Sequence, residues 1–132
     1  MGKYDDVRER TGWGVPTAAD RSRTADEIEE LIELTRDDDP KVRTIAVTNL
    51  CPCHVRADFG AAWDRVLDMT SDPSPIVRRA VVHMLADGSP RHRTTEVAEA
   101  LEPLRNDSDR VVRKQVNRVL AHYRRTGRIN IL

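Results

Sequence analysis

The chain has 132 residues, enough for one domain whose core needs no disulfides. Its 22 Lys and Arg balance 22 Asp and Glu, so no net field draws the whole molecule to nucleic acid or an acidic membrane. Aromatic residues are 4% of the chain, too few for a base-stacking platform, and no apolar run is long enough to span a bilayer.

In chain order, residues 1–23 open with MGKYDDVRER, which is polar and lacks the apolar stretch of a signal peptide. Position 6 is Asp6, where a myristoylation signal needs Ser or Thr. These features predict a soluble, reduced, cytoplasmic protein whose first 23 residues form an arm bearing Trp13. Thr24-Ala25-Asp26-Glu27 is a capping box. Ile28, Leu31 and Leu34 then recur at helical spacing and predict a helix over about 25–36. Asp39-Pro40 places a capping side chain before proline and opens a second helix over about 40–50. CPCHVRAD (51–58) links to a helix over about 59–70 carrying Trp63, Val66 and Met69, with Asp58 as its cap. Ser74-Pro75 opens the next helix, about 75–86, and Gly88 lies where it should stop. Ala98, Leu101 and Leu104 predict a helix over about 95–105, its last turn loosened by Pro103. Asp109 caps a final helix over about 110–125, which Gly127 ends.

These elements repeat. DDDPKVRTIAVTNL (37–50), DPSPIVRRAVVHML (72–85) and DSDRVVRKQVNRVL (107–120) align without gaps at a step of 35 residues. Asp37, Asp72 and Asp107 coincide, as do Val42, Val77 and Val112, Arg43, Arg78 and Arg113, and Leu50, Leu85 and Leu120. A helix pair recurring at this period predicts an all-α fold, an α-solenoid of three helical hairpins. The units run over about 24–57, 58–92 and 93–125, between the arm 1–23 and a tail 126–132.

The pattern D-x-D/S-P-x-V-R-x-x-A-x-x-x-L, as it stands at 37–50 and with variation in the next two units, resembles the HEAT repeats over about 24–125. It departs from them at Arg110, which replaces proline, and at Val81 and Val116, which replace the small Ala46. The resemblance implies a small stand-alone HEAT-repeat protein of the armadillo-like class, without catalytic activity. It also implies an inter-repeat ladder of Asp37, Asp72 and Asp107 with Arg43, Arg78 and Arg113. Those arginines, which could otherwise clamp phosphates, are thereby expected to be structural.

On a helical wheel the second helix of each pair turns Lys41, Thr44 and Thr48 outward, then Ile76, Arg79, His83 and Asp87, then Val111, Lys114, Arg118 and His122, with Arg125 one turn on. The first helices turn out Glu29, Glu30, Glu33, Asp64, Arg65, Asp68 and Glu99. One face is thus expected to be basic and the other acidic. Second helices usually line the concave side of such solenoids, so the basic row is the expected partner surface. Lys41, Thr44, Thr48, Arg79, His83, Lys114, Arg118, His122 and Arg125 would bind a protein. The alternative is nucleic acid or ribonucleoprotein binding through that row with Arg124, Arg125 and Arg128.

LCPCHVR (50–56) holds both cysteines of the chain. Cys51 matches Ala86 and Ala121, so the stretch reads first as an inter-repeat turn with Cys51 as a small hydrophobe. Cys-x-Cys-His offers three donors at unusual spacing for zinc, with His83 as a conceivable fourth, and a disulfide between residues two apart would be strained. Cys51, Cys53 and His54 as a metal- or redox-responsive module therefore stand as a second alternative, and no cofactor is expected. Gly12-Trp13-Gly14 lacks the strand–helix setting of a nucleotide motif, and nothing places a nucleophile beside a base. The outward second-helix positions carry no aromatic for an extruded base. At the ends, Trp13 is expected to cover the first repeat and Ile129, Ile131 and Leu132 the last, against the alternative that they are docking peptides. Covered ends predict a monomer.

Overall fold

The computed structural model describes residues 2, 4–17, 23–50 and 59–130, and over them the chain is all-α. The helices are α1 (Asp5–Thr11), α2 (Ala25–Leu34), α3 (Pro40–Asn49), α4 (Gly60–Asp68), α5 (Pro75–Gly88), α6 (Thr94–Leu101) and α7 (Arg110–Thr126). Short 3₁₀ segments occupy Met69–Ser71, Arg91–Arg93 and Glu102–Asn106.

The helices pack pairwise, α2 on α3, α4 on α5 and α6 on α7, and the pairs meet through α3 on α5 and α5 on α7. Such pairwise stacking is HEAT-like. Each contact buries the apolar stripe its sequence supplies: Ile28 and Leu31 on α2, Trp63 and Val66 on α4, Val81 and Leu85 on α5, Val116 and Leu120 on α7. Trp63 is wholly buried. At about 25 cal/mol per Å² of apolar surface, burial of this kind supplies most of the drive to fold.

The helices of the first set stop short of the predicted ends because each tightens before its aspartate. Asp37, Asp72 and Asp107 donate their N–H groups to carbonyls three residues back, on Leu34, Met69 and Leu104, at 3.2, 3.1 and 3.2 Å. This 3₁₀ tightening satisfies carbonyls left over at a helix end. Near Pro103 it spans five residues. Thr24 and Glu27 form the reciprocal capping box. Asp39 accepts from the Lys41 N–H and Asp109 from the Val112 N–H, at 2.9 and 3.0 Å. Ser74 departs from expectation. Its hydroxyl caps nothing, and the Asp72 carboxylate takes the Ser74 N–H at 2.9 Å instead. Pro75 follows at the first helical position, where it removes one orphan donor.

The arm is more structured than its sequence was read to be. α1 packs on α3, and wholly buried Val7 joins Val42 and Ile45, with Tyr4, Trp13 and Leu34 around them. Gly12 ends α1 at φ 81°, a left-handed turn that glycine adopts without strain. Asn49 donates to the Gly14 carbonyl at 2.8 Å, Arg23 donates to Asn49 at 2.6 Å, and the Arg23 guanidinium lies 4.9 Å from the Trp13 ring centre. At the other end, Asn130 exchanges two hydrogen bonds with the Ser89 backbone, at 2.9 and 3.0 Å, and Ile129 is buried. Ile131 and Leu132 lie outside the described residues, as do Cys51, Cys53, His54 and Asp58.

Candidate functional site

The repeated Asp and Arg residues meet across the helix pairs. The Arg43 Nε and Nη2 grip both oxygens of Asp72 at 2.9 and 3.1 Å, while Nη1 reaches the carbonyls of Asp37 and Asp38. Arg78 repeats the arrangement on Asp107, at 2.8 and 2.9 Å, with Nη1 on the Asp72 carbonyl at 2.7 Å. Among the described residues Arg113 makes only the carbonyl bond, to Asp107. Each carboxylate also accepts the N–H two residues on, at Asp39, Ser74 and Asp109. The six residues thus make two rungs, because each rung joins one pair's arginine to the next pair's aspartate. Asp37 and Arg113 are the open ends of the series among the described residues. The rung side chains are nearly buried, Arg78 at 10% and Asp107 at 5% exposure. Burial alone would raise the Asp107 carboxyl, but the Arg78 fork and the Asp109 N–H overcome it and the net shift is downward.

A sequence model of the family described as HEAT repeats matches residues 28–121. The chain belongs to the HEAT-repeat family. HEAT-repeat proteins are characteristically non-catalytic scaffolds, and this chain is read as one. No curated protein and no solved structure matches the chain significantly.

The nine residues expected to line the second-helix face of this HEAT chain do not form one row of free polar groups. Thr44 is buried, at 6% exposure, and its hydroxyl donates to the Pro40 carbonyl. Thr48 is half-buried and donates to the Thr44 carbonyl. Lys41 is exposed with its Nζ 3.8 Å from Asp6. Arg79 faces outward but is not free. Its Nε and Nη2 bind both oxygens of Asp109, at 2.9 and 2.6 Å. The shared fork raises the Arg79 pKa and, with the Val112 N–H, holds the Asp109 carboxyl far below the usual range. The spacing of 30 residues between Arg79 and Asp109, one more than in the rungs, was the available sign of this pair.

What remains is concentrated on α7. That helix carries Arg110, Arg113, Lys114, Arg118, Arg124 and Arg125 and no acidic residue. Apart from Arg113, these cations are exposed, and none has an ion-pair partner among the described residues. His83 is exposed and His122 half-buried. Beside them stand two of the large exposed hydrophobics, Ile76 at 40% and Val111 at 43%, one on α5 and one on α7 at matching positions. On the other helices α2 carries five acidic residues and no base. The acidic side is partly committed to structure, since Asp64 binds Arg93 at 2.6 Å and Arg65 binds the Thr35 hydroxyl and carbonyl.

Among the described residues no cluster of three or more His, Cys, Asp or Glu is placed to hold a metal ion. Likewise, no helix there is long and apolar enough to cross a membrane.

Proposed function

We propose that the chain is a scaffold of three HEAT repeats with a 35-residue period, flanked by the arm 1–23 and the tail 126–132, and that it binds an acidic segment of a partner protein. The working surface is the outward side of the second helices, centred on Lys114, Arg118 and Arg125 with His83 and His122 nearby. Lys41 and Arg79 form its neutralised edge. The observation that carries the reading is the run of cations on α7, without ion-pair partners among the described residues, together with exposed Ile76 and Val111. Cations alone would suit nucleic acid equally well. An exposed apolar pair next to them favours a protein surface, where apolar anchors supply affinity and charge supplies approach rate.

The test is affinity capture from native lysate with and without nuclease, using the native chain, Lys114→Ala/Arg118→Ala/Arg125→Ala and Ile76→Ala/Val111→Ala. Capture should survive nuclease and be lost in both variants. Capture abolished by nuclease would establish the nucleic-acid reading instead. Retention by both variants, with loss on charge reversal at Glu29 and Glu30, would put the surface on the first helices.

A further inference from the structure

A separate feature lies at the C-terminal end of the chain. A cavity of about 600 Å³ opens between the 3₁₀ turn at Arg91–Arg93 with the start of α6 on one side, and the end of α7 with the tail on the other. Small-molecule sites typically measure about 300–1,000 Å³. Two guanidiniums, Arg91 and Arg128, line it, and no carboxylate of the described residues does. Both are exposed, and neither has a hydrogen-bond or ion-pair partner for its side chain among the described residues. Thr95 and the half-buried Tyr123 add hydroxyls that are also unengaged among those residues, while the Tyr123 ring and buried Ile129 provide apolar wall.

Several neighbouring polar groups are already engaged. The end of α7 would repel an anion if its last carbonyls were bare. The Tyr123 carbonyl takes the Gly127 N–H at 2.7 Å, the His122 carbonyl also takes the Thr126 hydroxyl at 2.9 Å, and the Arg91 and Arg128 guanidiniums bring positive charge to the carbonyls that remain. Asn130 is held by Ser89, which fixes the tail as one wall. Arg93, next to Arg91 in sequence, is committed to Asp64 and Glu96. The free donors are therefore cationic or hydroxylic, and they surround a space with an apolar side.

We infer that this cavity binds a small organic phosphate, with Arg91 and Arg128 on the phosphoryl oxygens and Tyr123 and Ile129 against the organic body. Guanidinium–phosphate pairing supplies the strongest hydrogen bonds available to an exposed site.

Phenyl phosphate is the probe, followed by amide chemical shifts on the full chain. It should produce saturable shifts at residues 91–95 and 123–130. Arg91→Ala and Arg128→Ala should each weaken binding about tenfold, the effect of removing one charge-assisted contact. Neither residue makes a side-chain bond among the described residues, so both variants should stay folded. Arg118→Ala, on α7 outside the cavity, should bind as the native chain does. Phenol, which lacks the charge, should leave these resonances in place, and inorganic phosphate should bind more weakly than phenyl phosphate. The inference is overturned if phenyl phosphate gives no saturable shift there, or if phenol gives the same shifts. It is overturned equally if Arg118→Ala weakens binding as much as Arg91→Ala, which would mean diffuse attraction.

Discussion

Replacing Arg78 with alanine removes three hydrogen bonds at once: the two-armed grip on Asp107 and the bond to the Asp72 carbonyl. The stranded Asp107 side chain is 5% exposed and keeps the Asp109 N–H. Breaking one partner out of a buried pair costs roughly 3–5 kcal/mol, because the other charge stays behind without compensation. Protonation of the stranded carboxylate limits the loss to that range. For a chain of this size about 3–5 °C of Tm accompanies each kcal/mol, so Tm should fall by roughly 10 °C or more. Urea titration of Arg78→Ala, Asp107→Asn and the double variant separates the rung from simple loss of side chain. Asp107→Asn keeps an oxygen that can accept the Asp109 N–H while removing the charge. The double variant should therefore be about 2 kcal/mol better than the sum of the singles. A loss under about 1 kcal/mol in Arg78→Ala, with strictly additive variants, would refute a structural role for the rung.

The pH dependence follows from the same carboxylate. Asp107 is lowered in the folded chain from an unfolded value of about 3.9, so its contribution is fully present above about pH 4 and disappears as pH falls through the folded pKa. The urea midpoint of the native chain should drop below pH 4 more steeply than that of Asp107→Asn, and parallel profiles would contradict the shift. Arg79→Ala should lower the urea midpoint slightly, the effect being modest because that side chain is 42% exposed, while Lys114→Ala and Arg118→Ala should leave it where it is. Equal urea midpoints for all three would show that the Arg79–Asp109 pair is without consequence. Val7→Ala should lose about 2 kcal/mol, two buried methyl groups and a small cavity, and an unchanged melting curve would mean the arm contributes nothing to stability.

Local chemistry wrote much of the fold into the sequence. Apolar residues at helical spacing, Thr24 with Glu27, Asp39 before Pro40 and Gly127 after α7 act within a few residues, so they could be read without knowing what packs where. The register of Asp37, Asp72 and Asp107 against Arg43, Arg78 and Arg113 also pointed to contacts between helix pairs. α1 left a weaker trace. Val7-Arg8 stands 35 residues before Val42-Arg43, but seven helical residues without a first-helix partner do not advertise a repeat. Only tertiary structure decided which outward residues are free. A helical wheel places Thr44 on the outside, but in the fold it is buried, its hydroxyl on the Pro40 carbonyl. It places Arg79 among the cations, but the start of the next second helix brings the Asp109 carboxylate to it. Burial and charge pairing depend on neighbours some thirty residues away, and a helix's own periodicity carries no record of them.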